Sequence, residues 1–130
     1  LFEQAKAVQA RAYAPYSHFL VGAAILTPSG NIYVGCNVEN AAYPVGNCAE
    51  ASAIAAMVAG GEKEIFALVT ICDSADVGTC CGSCRQRVRE FAKSDTAIYA
   101  CGPEGVRAIF TMEQLLPTSF GPDNLVGFVS

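Results

Sequence analysis

From Leu1 to Ala14 apolar residues recur at helical spacing among Ala, Lys, Gln and Arg, and Pro15 stops the run, which predicts a first helix. The period then falls to two. Phe19 to Leu26 and Asn31 to Val38 read as strands joined by Thr27-Pro28-Ser29-Gly30, a hairpin connection. Cys48 to Ala59 is dense in Ala, Ile and Met and stops at Gly60-Gly61, the pattern of a helix with a glycine C-terminal signal. Ile65 to Cys72 is almost continuously apolar, as expected of a strand covered on both faces. Cys81 to Ala92 predicts another helix, with Arg85, Arg87 and Arg89 near its polar surface. Thr96 to Cys101 and Val106 to Phe110 read as two short strands, and Met112 to Leu116 as a helical turn before Pro117. The order αββαβαβ(β) is that of an α/β sandwich on a mixed sheet. No repeat, linker or low-complexity tract divides it, so residues 1–130 read as one domain.

Composition narrows the class. With 52% hydrophobic residues and a mean hydropathy of +0.34 the chain has ample material for a core. No apolar run approaches the roughly 18 residues of a membrane span, and no basic segment followed by an apolar stretch and cleavage site opens the chain. A globular protein of the cytoplasm is expected. Seven cysteines could suggest a secreted disulfide scaffold, but the count is odd and a CxxC stands at a predicted helix start, which favours metal binding. A formal charge of −4 and a pI near 4.8 weigh against an electrostatic grip on long nucleic acid. A nucleic-acid-like ligand would have to be small.

The candidate chemistry lies in Cys48-Ala49-Glu50 and Cys81-Gly82-Ser83-Cys84. Cys81 and Cys84 are three residues apart, which puts their sulfurs on one helix face, and a helix N-terminus favours thiolate. Cys48 and Glu50 would diverge in mid-helix but can reach a common point beyond a helix tip. Three thiolates, Cys48, Cys81 and Cys84, leave a tetrahedral zinc with one open position, and Glu50 is then a carboxylate not needed as a ligand. Taken alone, a CxxC is also compatible with ordinary buried thiols.

The stretches Tyr16-Ser17-His18-Phe19-Leu20-Val21-Gly22-Ala23-Ala24, Gly35-Cys36-Asn37-Val38-Glu39-Asn40-Ala41-Ala42-Tyr43, Asn47-Cys48-Ala49-Glu50 and Cys81-Gly82-Ser83-Cys84-Arg85-Gln86 occur here in that order. Together they closely resemble the small homotetrameric cytidine deaminases, and the likeness extends to Leu115-Leu116-Pro117-Thr118-Ser119-Phe120-Gly121-Pro122. The resemblance implies a three-layer α/β/α sandwich with a mixed five-stranded sheet. It implies hydrolytic deamination of cytidine and 2′-deoxycytidine in pyrimidine salvage, with one Zn²⁺ per subunit on Cys48, Cys81 and Cys84 and with Glu50 as the proton carrier. It further implies that Asn37 and Glu39 bind the ribose 3′-hydroxyl, that Phe19 packs on the pyrimidine, and that backbone groups of Ala49 and Thr79 hold the base. Tyr43 and Phe120 would reach a neighbouring subunit's site in a homotetramer. Without the resemblance, Phe19 reads equally as core, and Asn37 with Glu39 as a solvated strand face. Two other classes stay open: a deaminase of another aminopyrimidine or aminopurine nucleoside, and a noncatalytic zinc protein.

Two positions depart from the family's pattern. Many relatives carry Arg directly after the catalytic Glu and Pro directly before the second zinc Cys, where this chain has Ala51 and Cys80. Zinc with three thiolates carries a formal charge of −1, and Ala51 cannot offset it. The helix N-termini, backbone N–H groups and Arg85 are the candidate compensators. Cys80 competes on paper with Cys81 as a ligand, though the helical spacing favours Cys81, whereas Cys36, Cys72 and Cys101 fall in predicted strands as inert thiols.

Overall fold

The structure, a computed structural model, describes residues 1–74, 77–78 and 80–129, with side chains as far as residue 125. Its elements are α1 (Phe2–Gln9), β1 (Val21–Leu26), β2 (Ile32–Cys36), α2 (Ala49–Ala59), β3 (Ala67–Cys72), α3 (Gly82–Phe91), β4 (Ala97–Gly102), β5 (Gly105–Thr111), α4 (Met112–Leu115) and α5 (Pro122–Val129). A 3-10 turn at Tyr43–Val45 precedes α2. The strands form one sheet in the order β2-β1-β3-β4-β5, mixed because β3 and β4 pair in parallel while the other neighbours are antiparallel.

Strand alternation divides the core in two. Ala23, Ile25, Leu68 and Ile98 face Ala53, Met57, Cys84, Val88 and Met112 on one side, so α2, α3 and α4 cover that face. Ala24, Val69, Ile71 and Cys101 point the other way, against Ala5, Leu1 and Phe2 of the α1 segment. This is the three-layer arrangement, and β3, buried along its whole length, is its middle strand.

The topology also decides where α2 and α3 begin. Both β2 and β3 run antiparallel to β1, hence in the same direction, and each is followed by a helix on the same face. The two helices therefore start at the same end of the sheet, beyond the carboxyl ends of their strands, where open α/β sheets form their ligand crevices. Gly35 sets how closely α2 lies on β2. A Cβ at that position would fall on the backbone of Ala49, Ser52 and Ala53, so only a glycine lets the first turns of α2 lie down there.

The predicted elements are present, most of them with shorter ends, whereas β5 runs one residue further at each end than Val106 to Phe110 and β4 one residue past Cys101. The first helix stops at Gln9 rather than Ala14, because Tyr13 is drawn into β-type pairing: its N–H donates to the Asn37 carbonyl at 2.9 Å and its carbonyl accepts from Glu39 at 2.8 Å. The second strand stops at Cys36, since Val38 bridges Tyr13 and Asn47 instead of continuing along β1. Helix α5 was not anticipated, although Pro122 at its first position followed by Asp123 is a helix-start signal.

Candidate metal centre

Each motif supplies the residue that caps a helix. Cys48 precedes α2 with φ −79° and ψ 163°, and Cys81 precedes α3 with φ −65° and ψ 166°. Neither side chain accepts a capping bond from a backbone N–H of its helix, so each sulfur sits at a positive helix end without serving as a cap. Cys84 lies in the first turn of α3 and is fully buried, and Glu50 lies in the first turn of α2 with only 5% of its surface exposed. The ligand atoms of Cys48, Glu50 and Cys84 all stand within 4.8 Å of one another, and no other such cluster occurs among the described residues.

The Cys48 and Cys84 sulfurs meet as a disulfide in the structure, yet their Cα atoms are 7.4 Å apart. That exceeds the roughly 4.4–6.8 Å usual for a disulfide. Two thiolates on a tetrahedral zinc, with Zn–S about 2.3 Å, stand about 3.8 Å apart and suit the wider backbone spacing. Soft sulfur donors at two helix tips, with a buried carboxylate beside them, fit zinc. Cys81 lies on the wall of the same pocket but outside the cluster, exposed, with its sulfur 3.4 Å from the Ser83 hydroxyl.

Two cavities meet over this centre. The inner one, of about 280 Å³, has Cys48, Glu50, Cys81 and Cys84 in its wall together with Phe19, Val21, Ala49, Thr70 and Ile71. The outer one, of about 470 Å³, is bordered by Ser17, Glu39, Asn40, Tyr43 and Asn47. Asn37 and Cys48 belong to both, which makes them one cleft whose mouth is richer in polar side chains than its inner half. Phe19 is 46% exposed, so it is a cavity wall rather than core.

Asn37 and Glu39 lie just past the end of β2 and hold the rim in shape. The Asn37 side chain accepts from Val21 N–H at 2.9 Å and donates to the Phe19 carbonyl at 2.8 Å. Glu39 accepts from the N–H groups of Tyr16 and Ser17 and from the Ser17 hydroxyl. The Ser17 hydroxyl is the main reason its carboxyl lies below the usual range, with those N–H groups adding to it. Tyr43 packs edge-on against Tyr16 at 6.0 Å and is 75% exposed. Phe120 is exposed outside both cavities, its carbonyl accepting from Gln86. Thr79 lies outside the described residues.

Three features of the site were not read from the sequence. Cys80 is buried, burial pushes its thiol well above the usual range, and the Glu50 carboxylate adds to this through its charge and a hydrogen bond. Thr70, a lone polar residue in an apolar strand, has a buried hydroxyl with no partner among the described residues. The third is a correction: the arginine beside the Cys48 and Cys84 sulfurs is Arg87 rather than Arg85. Arg87 Nη1 lies 3.5 Å from Cys48 Sγ and 3.8 Å from Cys84 Sγ, while Arg85 donates to the carbonyls of Cys80 and Leu115. Of the strand cysteines, Cys72 and Cys101 are buried as expected and Cys36 is half-buried.

Residues 1–101 match the family model described as the cytidine and deoxycytidylate deaminase zinc-binding region. A curated cytidine deaminase of Sporosarcina psychrophila is 38% identical over 125 residues, covering 96% of this chain and 92% of that protein. The crystal structure of a cytidine deaminase from Burkholderia pseudomallei superposes with a TM-score of 0.88 at 38% identity, covering 92% of this chain and 96% of the other. That of the Mycobacterium tuberculosis cytidine deaminase gives 0.79 at 37% identity, with 93% and 94% covered.

Proposed function

The chain belongs to the cytidine and deoxycytidylate deaminase zinc-binding family, and from that membership and the form of its cleft we infer a zinc-dependent cytidine deaminase that converts cytidine to uridine and ammonia. The observation that carries this reading is the buried Glu50 carboxylate beside the Cys48 and Cys84 sulfurs on the wall of a base-sized cavity.

Cys48, Cys81 and Cys84 hold the zinc, with Cys81 brought in by rotation of its exposed side chain. Zinc, when bound there, supplies the Lewis acidity that makes a neighbouring water acidic enough to react near neutral pH. Glu50 accepts the proton of that water as its oxygen adds to C4 of the pyrimidine, and passes it to N3. It then takes the remaining hydroxyl proton and gives it to the amine, so that the C4–N bond breaks, ammonia leaves and C4 becomes the carbonyl of uridine. Phe19 covers the base, and the backbone of Ala49, with that of Thr79, holds its polar edge. Asn37 keeps one amide N–H and Glu39 one lone-pair site beyond their bonds within the rim, and these take the ribose 3′-hydroxyl. That hydroxyl is common to cytidine and 2′-deoxycytidine, so both are substrates, as pyrimidine salvage requires. The exposed Tyr43 and Phe120 fit a homotetramer in which each reaches the cleft of a neighbour.

The test is to follow absorbance loss and ammonia release from cytidine, 2′-deoxycytidine, CMP and adenosine, with and without a zinc chelator. Release from both cytosine nucleosides, abolished by the chelator and restored by zinc, is expected. Zinc-loaded protein inert toward cytidine would overturn the reading.

A further inference from the structure

We propose that Arg87 is the cation that offsets the thiolate charge at this metal centre, reaching from α3 a position that Ala51 on α2 leaves open. The proposal rests on the zinc reading of Cys48 and Cys84.

Arg87 follows Cys84 by three residues, close to one helical turn, so its side chain runs along the α3 face that carries the buried sulfur. One guanidinium nitrogen bridges two sulfurs that come from different helices, at 3.5 Å and 3.8 Å. Ala51 stands across from it, and the two residues line one crevice between α2 and α3, together with Ala55 and Glu90. A single methyl at position 51 leaves that crevice wide enough for the guanidinium. The other two arginines of α3 are directed elsewhere: Arg85 to the Cys80 and Leu115 carbonyls, and Arg89 to Ser119 and Asp123. Among the described residues no carboxylate forms an ion pair with Arg87.

The chemical effect follows from charge. Three thiolates around a dication leave a net charge of −1, and N–H···S bonds from a guanidinium draw density out of the sulfur lone pairs. Thiolates so restrained donate less to the metal, which stays a stronger Lewis acid. Arg87 reaches neither the substrate nor the reacting atoms, so it is a positioning residue that acts through sulfur.

Cobalt(II) substitution reads the sulfurs directly, through the thiolate-to-cobalt absorption band. In Arg87→Met that band should move to longer wavelength, because sulfur lone pairs without an N–H partner are easier to ionise. The zinc form should lose about 10- to 100-fold in kcat, with KM changed less than about twofold because free substrate binding is untouched. Arg87→Lys should recover part of both effects. The double variant Ala51→Arg/Arg87→Met should restore the band by bringing an arginine from α2. A folded Arg87→Met protein with an unshifted band would overturn the proposal. If Arg87→Met does not fold, the double variant decides: a folded protein with the wild-type band supports the proposal, and failure to fold or a displaced band overturns it. Absence of any thiolate-to-cobalt band in the unaltered protein would sink the zinc reading itself, whereas a normal band indifferent to residue 87 sinks only the role of Arg87.

Discussion

Glu50 is the residue on which the proposed chemistry turns, and its surroundings suit that role. It is a carboxylate in the first turn of a helix, almost wholly buried, and within 4.8 Å of two sulfurs. Glu50→Gln preserves shape and hydrogen bonding but cannot carry the proton. It should fold, keep its zinc and lose about 10²- to 10⁴-fold in kcat, measured as ammonia release alongside metal content; near-normal turnover would remove Glu50 from the mechanism. That Cys48 and Glu50 share one helix tip and Cys81 and Cys84 another was legible in the sequence because helix geometry ties neighbouring residues to a common tip. Arg87 was not. Its partner Cys48 is 39 residues away on another helix, and nothing local distinguishes Arg87 from Arg85 or Arg89.

At the scale of elements, the site depends on how α2 is held at both ends. At its start, Gly35 lets the backbone of Ala49 and Ala53 lie against β2. Gly35→Ala should destabilise by about 1–3 kcal/mol through overpacking, and should weaken zinc retention as well because Cys48 and Glu50 move with the helix tip. Urea melts and metal analysis check both, and an unchanged midpoint would show that the contact yields freely. Just past the other end, Glu62 receives bonds from Ser29, Asn31 and Tyr33, tying the β1–β2 hairpin to α2. The Ser29 hydroxyl first, and then Asn31, hold its carboxyl down from 4.5 to about 2. A depressed carboxyl stabilises the folded state fully above its unfolded value and loses that contribution as pH falls through the folded one. The melting temperature gap between the native protein and Glu62→Gln should thus be present at pH 6 and close between about 4.5 and 2. A gap independent of pH would contradict it. The same scale shows where pattern reading fell short: the first helix and second strand were overdrawn because Tyr13 and Val38 pair with each other, a contact between segments no local period reveals.

For the whole molecule, the decisive fact is that β2 and β3 run the same way, so α2 and α3 open at one end of the sheet and bring two distant motifs together. The same scale holds the prediction about assembly. In a homotetramer, Tyr43→Ala and Phe120→Ala should each raise KM for cytidine by about tenfold, or 1.4 kcal/mol, with zinc content unchanged. Sedimentation should find four subunits, and a fully active monomer would contradict shared sites. The sequence by itself determined the elements, the helix-tip positions of the motif residues and the membership of a family, because those depend on local periodicity, spacing and residue order. Only the tertiary structure decided that Arg87 lies beside the Cys48 and Cys84 sulfurs, that Cys80 is buried close to Glu50 and that Asn37 and Glu39 brace the rim as well as face the cleft. Those outcomes are set by distances between segments, and a distance between segments exists only once the sheet order has placed them.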